Sequence, residues 1–266
     1  MRTRYVKTPD QVRQLQAIYA TPSFLEATSL AVTFLTEPEV VAELLPPLLE
    51  AAAEPRVSVS VYTVGASNCV GAFNGASINL ACTYRGEPGL YCLTMPMSTD
   101  TAIVFGRELY AEPKKLADCQ LDIRDRFVRG TVTRHGVTYV QLDGTFEEPM
   151  APSTAAGVSK HYYYKYLPAA DGQGLAGDPQ LVCVTHRGRT HKLARGAATI
   201  TFRESRHDPV IDLPVLKVEG ASYSLGETHT TAEVVATVPA RDFLPWAYGK
   251  ADDLTAWGGP VVASPK

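Results

Sequence analysis

The chain has 266 residues, of which 45% are apolar and 20% charged, and a net charge of −3. That length supports a substantial core, and the composition is ordinary for a globular protein. The near-neutral balance gives no basis for nucleic acid or an anionic membrane as partner, and no apolar run approaches the about 18 residues of a membrane span.

The first expected element is a helix over 9–17, followed by a strand over 30–36. A second helix is expected over 37–45, with Thr36 as its N-cap and Pro46-Pro47 as its stop. Short β-branched and aromatic runs then dominate. The segments 57–64, 77–84, 89–95, 101–105, 121–129, 130–142, 160–167, 180–186, 197–202 and 230–238 all read as strands. Val57-Ser58-Val59-Ser60-Val61 alternates with period two, so one face is buried and the other is not. Within 131–140 the pattern is a hairpin with His135-Gly136 at the turn. The Gly- and Pro-rich stretches 149–157 and 169–178 read as surface loops, and a last helix is expected over 240–248 despite Pro245. About ten strands and a few helices predict an α+β fold. It is predominantly antiparallel, a barrel or sandwich with peripheral helices, and spans 1–266 as one domain.

The N-terminal Met1-Arg2-Thr3-Arg4-Tyr5-Val6-Lys7 lacks the apolar stretch of a signal peptide. Five scattered cysteines, Cys69, Cys82, Cys92, Cys119 and Cys183, are odd in number and contain no C-x-x-C. Reduced, buried thiols in a cytoplasmic protein are therefore expected. The histidines His135, His161, His186, His191, His207 and His229 show neither H-x-x-x-H nor H-E-x-x-H spacing, so no metal and no other cofactor is expected. The glycine-rich stretch 65–75 is neither a nucleophile elbow nor a phosphate loop, and its glycines fit a turn or bulge.

The most informative residues are Lys114 and Lys115, adjacent amines that follow Pro113 in an apolar neighbourhood. Desolvation and a neighbouring cation both favour loss of a lysine proton. A free amine attacks a carbonyl carbon and forms a Schiff base. A solvated Lys-Lys pair at a strand end is the bland alternative.

Gly106-Arg107-Glu108-Leu109-x-x-x-Pro113-Lys114-Lys115-Leu116 resembles the signature of the acetoacetate decarboxylase family. The likeness extends upstream through Tyr84-Arg85-Gly86 and Ala102-Ile103-Val104-Phe105-Gly106. It continues downstream through Tyr163-x-Lys165-Tyr166-Leu167-Pro168 and Asp208-Pro209-Val210-Ile211-Asp212-Leu213-Pro214-Val215. The resemblance implies a cone-like antiparallel barrel with the lysine in its interior, and a homo-oligomer. It also implies Lys114 as the Schiff-base nucleophile and Lys115 as the cation beside it; activation of a lysine by another cationic group is a mechanism for which acetoacetate decarboxylase is itself the standard example.

Strand parity would place Glu112, Tyr110 and Glu108 on the face of Lys114. A carboxyl there can shuttle protons, and a phenol can donate to a developing oxyanion. Glu108 read structurally is an ion-pair partner of a nearby base. Glu112 is a departure from the family pattern, in which an aromatic residue commonly precedes the Pro-Lys-Lys. Beside Lys114 it would also oppose the effect of Lys115. An ungapped alignment back from the signature puts Gly75 and Ser60 where the family carries glutamates, and the family's arginine falls near Ala27. Asn74 is the nearest polar substitute, able to orient a carbonyl or water but not to act as a base. Met97 and Tyr84 complete the expected substrate-binding set with Asn74 and Glu108.

The leading expectation is a lyase that forms an imine with a small keto acid. The missing arginine and glutamates argue against decarboxylation of acetoacetate; the resemblance, whose members with altered pockets look like pyruvate aldolase–dehydratases, implies aldolase or dehydratase chemistry with pyruvate, and an aldehyde as second substrate. A decarboxylase of a bulkier β-keto acid is the alternative enzyme. A non-catalytic barrel that binds a small ligand is the alternative outside enzymes.

Overall fold

The structure, a computed structural model, describes residues 3–257. Met1 and Arg2, part of the stretch read for a signal peptide, and 258–266 of the expected domain lie outside the described residues. Helix α1 (Pro9–Ala20) opens on a capping box, with Thr8 and Gln11 each satisfying the other's backbone N–H. Strand β1 (Ser23–Leu35) leads to α2 (Pro38–Leu44) and the short β2 (Glu50–Ala51). Three long strands follow, β3 (Arg56–Ser67), β4 (Phe73–Tyr84) and β5 (Glu87–Met97). Helix α3 (Asp100–Tyr110) then delivers the chain to β6 (Lys114–Leu116). Next come β7 (Asp118–Arg124), β8 (Phe127–Arg134), β9 (Val137–Thr145), the short β10 (Ala151–Pro152) and β11 (Ala156–Lys165). The chain closes with β12 (Gln180–Phe202), β13 (Lys217–Thr237) and α4 (Ala240–Ala247).

Strands β11, β5, β4, β3, β1, β13 and β12 pair in that order, and β12 returns to β11, which closes a seven-stranded barrel. All of these pairings are antiparallel except β11–β5. The far half of β12 leaves the barrel and pairs with β9, which carries the β8–β7 meander. Two cores lie on opposite faces of the same strands. The larger one joins Leu30, Val59 and Leu80 of the barrel to Val132, Tyr139 and Leu142 of the meander. The smaller one holds Val64, Phe73, Cys92, Met97, Tyr163, Val182 and Val184, with Ala102 and Tyr110 of α3 packed against them. Alternation explains the division. In β11, Tyr162 and Tyr164 face the first core and Tyr163 the second; in β12, Leu181 and Cys183 face one and Val182 and Val184 the other. No helix among the described residues is long and apolar enough to cross a membrane.

The expected barrel is present, with four differences. Residues 101–105 are helical, not a strand. Thr99 caps the helix by accepting from the Ala102 N–H, and Ala102, Gly106 and Tyr110 recur every fourth residue as its buried face. The segment 121–129 is not one strand but turns at Asp125, whose φ is 52°. The segments 180–186 and 197–202 are the two ends of one 23-residue strand, and 230–238 is the end of a 21-residue one. The N-cap of α2 is Glu37, without a side-chain cap bond, while the Thr36 hydroxyl has no partner.

The meander is seated on the barrel through glycine. A Cβ on Gly130 would lie 2.7 Å from Val61 Cβ, and both positions sit within the sheet-to-sheet contact. Gly130→Leu should lower stability by about 1–3 kcal/mol in urea unfolding, and Val61→Ala in that background should recover part of the loss. An unaffected Gly130→Leu protein would contradict this packing.

Candidate active site

Lys114 lies on β6, which runs parallel to the end of β5 with Lys114 opposite Met95. Its side chain turns toward α3. The ammonium donates to the Ala102 carbonyl at 3.1 Å and stands 2.7 Å from Glu112 Oε2. The two side chains are only 7% and 8% exposed, so this is a buried ion pair. Charges of that kind are costly to bury and persist only when paired and hydrogen-bonded. Space for the pair comes from Gly106. A Cβ there would stand 2.0 Å from Glu112 Oε2 and 2.4 Å from Lys114 Nζ. A glycine in a helix interior is unfavourable by roughly 1 kcal/mol relative to alanine, and here it is what lets an ammonium and a carboxylate lie against the helix.

The turn between α3 and β6 is held from several sides. Ala111 ends the helix in the left-handed region, φ 64°, a conformation disfavoured for a residue with a Cβ. Glu112 N–H donates to Gly106 O, and Arg107 Nη1 donates to the carbonyls of Lys114 and Lys250. Lys250 Nζ donates to Ala111 O and Tyr164 O, each at 2.6 Å, and sits over the Tyr166 ring. Burial, and then Arg107, push the Lys250 amine down to about 7. Glu112 also borders a cleft of about 530 Å³ together with Arg107, Glu108, Tyr166 and Lys250.

Around the pair, Tyr110 from α3 and Tyr163 from β11 belong to the smaller core. His161 lies two residues before Tyr163 on the same face and opposite Val184. Its ring meets that of His186 edge-on, with centroids 4.6 Å apart, and His186 Nδ1 bonds Thr230 Oγ1 at 3.0 Å. Burial, then the neighbouring imidazole, push His161 down to about 3. Burial, then the Lys114 charge, push His186 down to about 4. The Tyr110 and Tyr163 phenols are raised, chiefly by burial and with a contribution from Glu112. The sequence reading missed His161, His186 and Tyr163. Their period-two placement on two strands that each read as β was the available signal, but not which strands would face Lys114.

The remaining expected residues divide. Met97 is 1% exposed and packs into the smaller core. Tyr110 reaches that core from the end of a helix, not by strand parity. Glu108 is on the exposed face of α3, turned away from Lys114, because helical spacing replaces alternation there. Asn74 points away as well and donates to Cys119 O at 3.0 Å, which ties β4 to β7. Tyr84, at the far end of β4, stands in the larger core and donates to Val235 O.

Lys115 is not brought beside Lys114. The alternation that carries one amine toward α3 carries the next to the other side of β6. There Lys115 donates to His207 O at 2.8 Å and Asp208 Oδ1 at 3.2 Å, with Asp252 at 3.5 Å. Arg134 bonds the same two aspartates. These groups border a separate cleft of about 570 Å³. His135, His207 and Asp252 place ligand-type atoms within 4.8 Å of one another at its edge. Asp252 is already held by Arg134 and His135, and two cations adjoin it, which opposes a metal ion. Where the family carries a glutamate, a Cβ on Gly75 would lie 2.8 Å from Met97 Sδ and 2.9 Å from Tyr62 Cε2. An acid at 75 would have to displace both of these side chains. Ser60 Oγ is bonded to Ser77 Oγ at 2.9 Å, and Ala27 packs against the smaller core.

Two predictions follow from this geometry. Lys115→Met should cost about 1–3 kcal/mol in urea unfolding, because it removes one of the two cations on buried Asp208 and leaves Arg134 as the other, yet leave the rate of borohydride trapping at Lys114 within about two-fold; a large change in trapping would return Lys115 to the site. The second concerns acid. His161 and His186 stay neutral in the folded protein down to about 3 and about 4, whereas unfolded imidazoles take protons near ~6.5. The unfolded state therefore binds more protons below that value, and stability should fall as pH drops from about 6.5 toward 4. His186→Phe should flatten that slope in unfolding experiments, and an unchanged slope would contradict it.

Comparison with known proteins agrees with this architecture. Residues 7–238 match the family model of acetoacetate decarboxylase (ADC). An acetoacetate decarboxylase of Burkholderia cenocepacia is 28% identical over 210 residues, which span 77% of this chain and 83% of that protein. The crystal structure of acetoacetate decarboxylase from Legionella pneumophila superposes with a TM-score of 0.73 at 18% identity, over 81% of this chain and 87% of that one. The enduracididine biosynthesis enzyme MppR, complexed with the condensation product of pyruvate and imidazole 4-carboxaldehyde, gives a TM-score of 0.64 at 16% identity, over 80% and 88%. The two solved structures share the fold, and the match over 7–238 carries the assignment: the chain belongs to the acetoacetate decarboxylase family of lyases.

Proposed function

We propose that Lys114 is the Schiff-base residue of a lyase that acts on a small keto acid, and that its reaction runs through an enamine, as an aldolase or dehydratase with pyruvate. The observation that carries this reading is the buried Lys114–Glu112 pair at 2.7 Å. A carboxylate in that position can accept the ammonium proton and release a neutral amine. The amine adds to the ketone carbon, and Glu112 returns the proton as the hydroxyl leaves as water, which gives an iminium ion. Glu112, again a carboxylate, removes a proton from the carbon next to the iminium, and the electron pair forms the enamine. The enamine carbon attacks an aldehyde, the C=O pair moves onto oxygen, and Glu112 gives that oxygen its proton. Water then hydrolyses the iminium, frees the product and restores Lys114; loss of the new hydroxyl as water before that step gives the dehydrated product.

Two further facts support the preference. The seat of an acid at 75 is filled by Met97 and Tyr62, and a structural neighbour is complexed with a condensation product of pyruvate and an aldehyde. The name shared by the curated relatives favours the second reading, a decarboxylase, here of a bulkier β-keto acid. All five thiols are unpaired, which supports a reducing, cytoplasmic setting.

Exchange of the pyruvate methyl protons with deuterated solvent tests the reading. The parental protein should exchange them, Lys114→Ala should not, and Glu112→Gln should be slower by ~10²-fold or more. Exchange that persists in Lys114→Ala would contradict it. Release of carbon dioxide from acetoacetate at ~10 per second or faster, an ordinary enzyme rate, would reverse the preference between the two chemistries.

A further inference from the structure

Three cations line the cleft beside Glu112, and none of them meets an acid. Arg107, Lys165 and Lys250 all border the cavity of about 530 Å³ that Glu112 borders. Two further carboxylates share its lining, Glu108 and Asp178. Glu112 is taken by Lys114, and Asp178 Oδ1 accepts the Ala240 N–H at 2.8 Å. Among the described residues, Arg107, Lys165 and Lys250 form no ion pair with any Asp or Glu.

Their bonds run to backbone instead, and these bonds gather all three on one turn. Lys165 Nζ donates to Leu109 O at 3.2 Å, Lys250 Nζ to Ala111 O at 2.6 Å, and Arg107 Nη1 to Lys114 O at 2.9 Å. The acceptors span only the end of α3 and the turn into β6. Arg107 Nη1 also reaches Lys250 O at 3.2 Å. Capping explains part of this, since cations suit a helix C-terminus whose last carbonyls lack partners. One cation serves that purpose, whereas three without an anion repel one another. Burial, then the Arg107 charge, hold the Lys250 amine down at about 7. Donors are also left over. Arg107 Nε and Nη2 have no bond among the described residues, and the Lys165 amine makes one of the three it can make. A guanidinium with an unused edge, flanked by amines, matches a carboxylate. The rest of the lining is largely apolar, with Leu167, Pro168, Ala176 and Ala247, and the volume is that of a small-molecule site.

We propose that Arg107, Lys165 and Lys250 form an anion-capture site at this cleft, which takes the carboxylate of the keto acid on its way to Lys114. The identity of that acid rests on the imine reading of Lys114; the preference for an anion rests on the cleft alone. Glu112 joins the two, because it borders the cleft and stands 2.7 Å from Lys114 Nζ. Arg107 and Lys165 are exposed, so a carboxylate held by them keeps part of its water and avoids the cost of full burial. Such a site raises the local concentration of an anionic substrate beside the pair.

The test measures the rate of borohydride trapping on the full chain with pyruvate and with methyl pyruvate, which carries the same ketone without the charge. The ratio of the two rates should fall by about five-fold or more in Arg107→Met and by about two-fold or more in Lys165→Met. A loosened turn would slow both ketones alike and leave the ratio at its parental value. Lys165 makes a single bond at the rim, so Lys165→Met decides the matter if Arg107→Met does not fold. A parental ratio in Lys165→Met, or in a folded Arg107→Met, overturns the capture site and leaves the imine standing. If the parental protein yields no adduct, propionate and propionamide, neither of which forms an imine, replace the ketones in ligand-observed NMR. Propionate should bind the parental protein more tightly than propionamide, and Lys165→Met should lose at least half of that advantage. Propionamide binding as tightly as propionate, or an advantage unchanged in Lys165→Met, overturns the proposal whatever Lys114 does.

Discussion

An ammonium and a carboxylate pressed against a helix glycine are the constraint on which the rest of this site depends. Lys114 and Glu112 are both buried, 2.7 Å apart, and they fill the space that a side chain on Gly106 would take. Two charges taken out of water at that distance are stable as a pair and unstable apart. Neither residue can be removed, or its charge changed, without a response from the other. In the proposed reaction, that coupling gives Lys114 a built-in proton acceptor. It also explains why the surrounding chain is so firmly tied, with Arg107, Lys250 and the left-handed Ala111 all fixing the turn that carries the pair.

The barrel supplies the second condition, an apolar enclosure. Strands alternate their side chains between two cores, and the meander of β7–β9 covers only one of them. The other is left to α3 and to the pair. Because Val182, Val184, Tyr163 and Phe73 exclude water there, imidazoles stay neutral and phenols stay protonated. Hydrogen bonds to a bound oxygen are strongest in such a place, and unpartnered donors are most costly there.

Much of this was legible in the sequence. Alternation in β3 and the His135-Gly136 turn were plain, and the Pro113-Lys114-Lys115 signature pointed at the buried Lys114–Glu112 pair, the basis of the proposed reaction. What escaped notice did so for physical reasons. The segment 101–105 is β-branched and aromatic, so local preference argued for a strand, whereas the Thr99 cap and the four-residue recurrence of Ala102, Gly106 and Tyr110 decide for a helix. That misreading put Glu108 in the site. The middle of β12, Arg187-Gly188-Arg189-Thr190-His191-Lys192, is polar and half-exposed, so it hid the continuity of one long strand. Adjacent lysines suggested mutual repulsion, but neighbours on a strand point apart, and Lys115 finds Asp208 instead. His161 and His186 lie far along the chain from Lys114, and only the closure of β11 on β12 brings them to its neighbourhood.

Met97 and Tyr62 occupy the space beside Gly75, and the carboxylate that stands against Lys114 is at 112, on the turn before it. Glu112 and Lys114, the proposed proton acceptor and nucleophile, therefore lie on one short segment. The measurement that tests this account most directly is peptide mapping after borohydride reduction in the presence of pyruvate. The account predicts a single stable adduct on the peptide that contains Lys114, absent from Lys114→Ala. An adduct on another lysine, such as Lys250, or one that survives in Lys114→Ala, would contradict it.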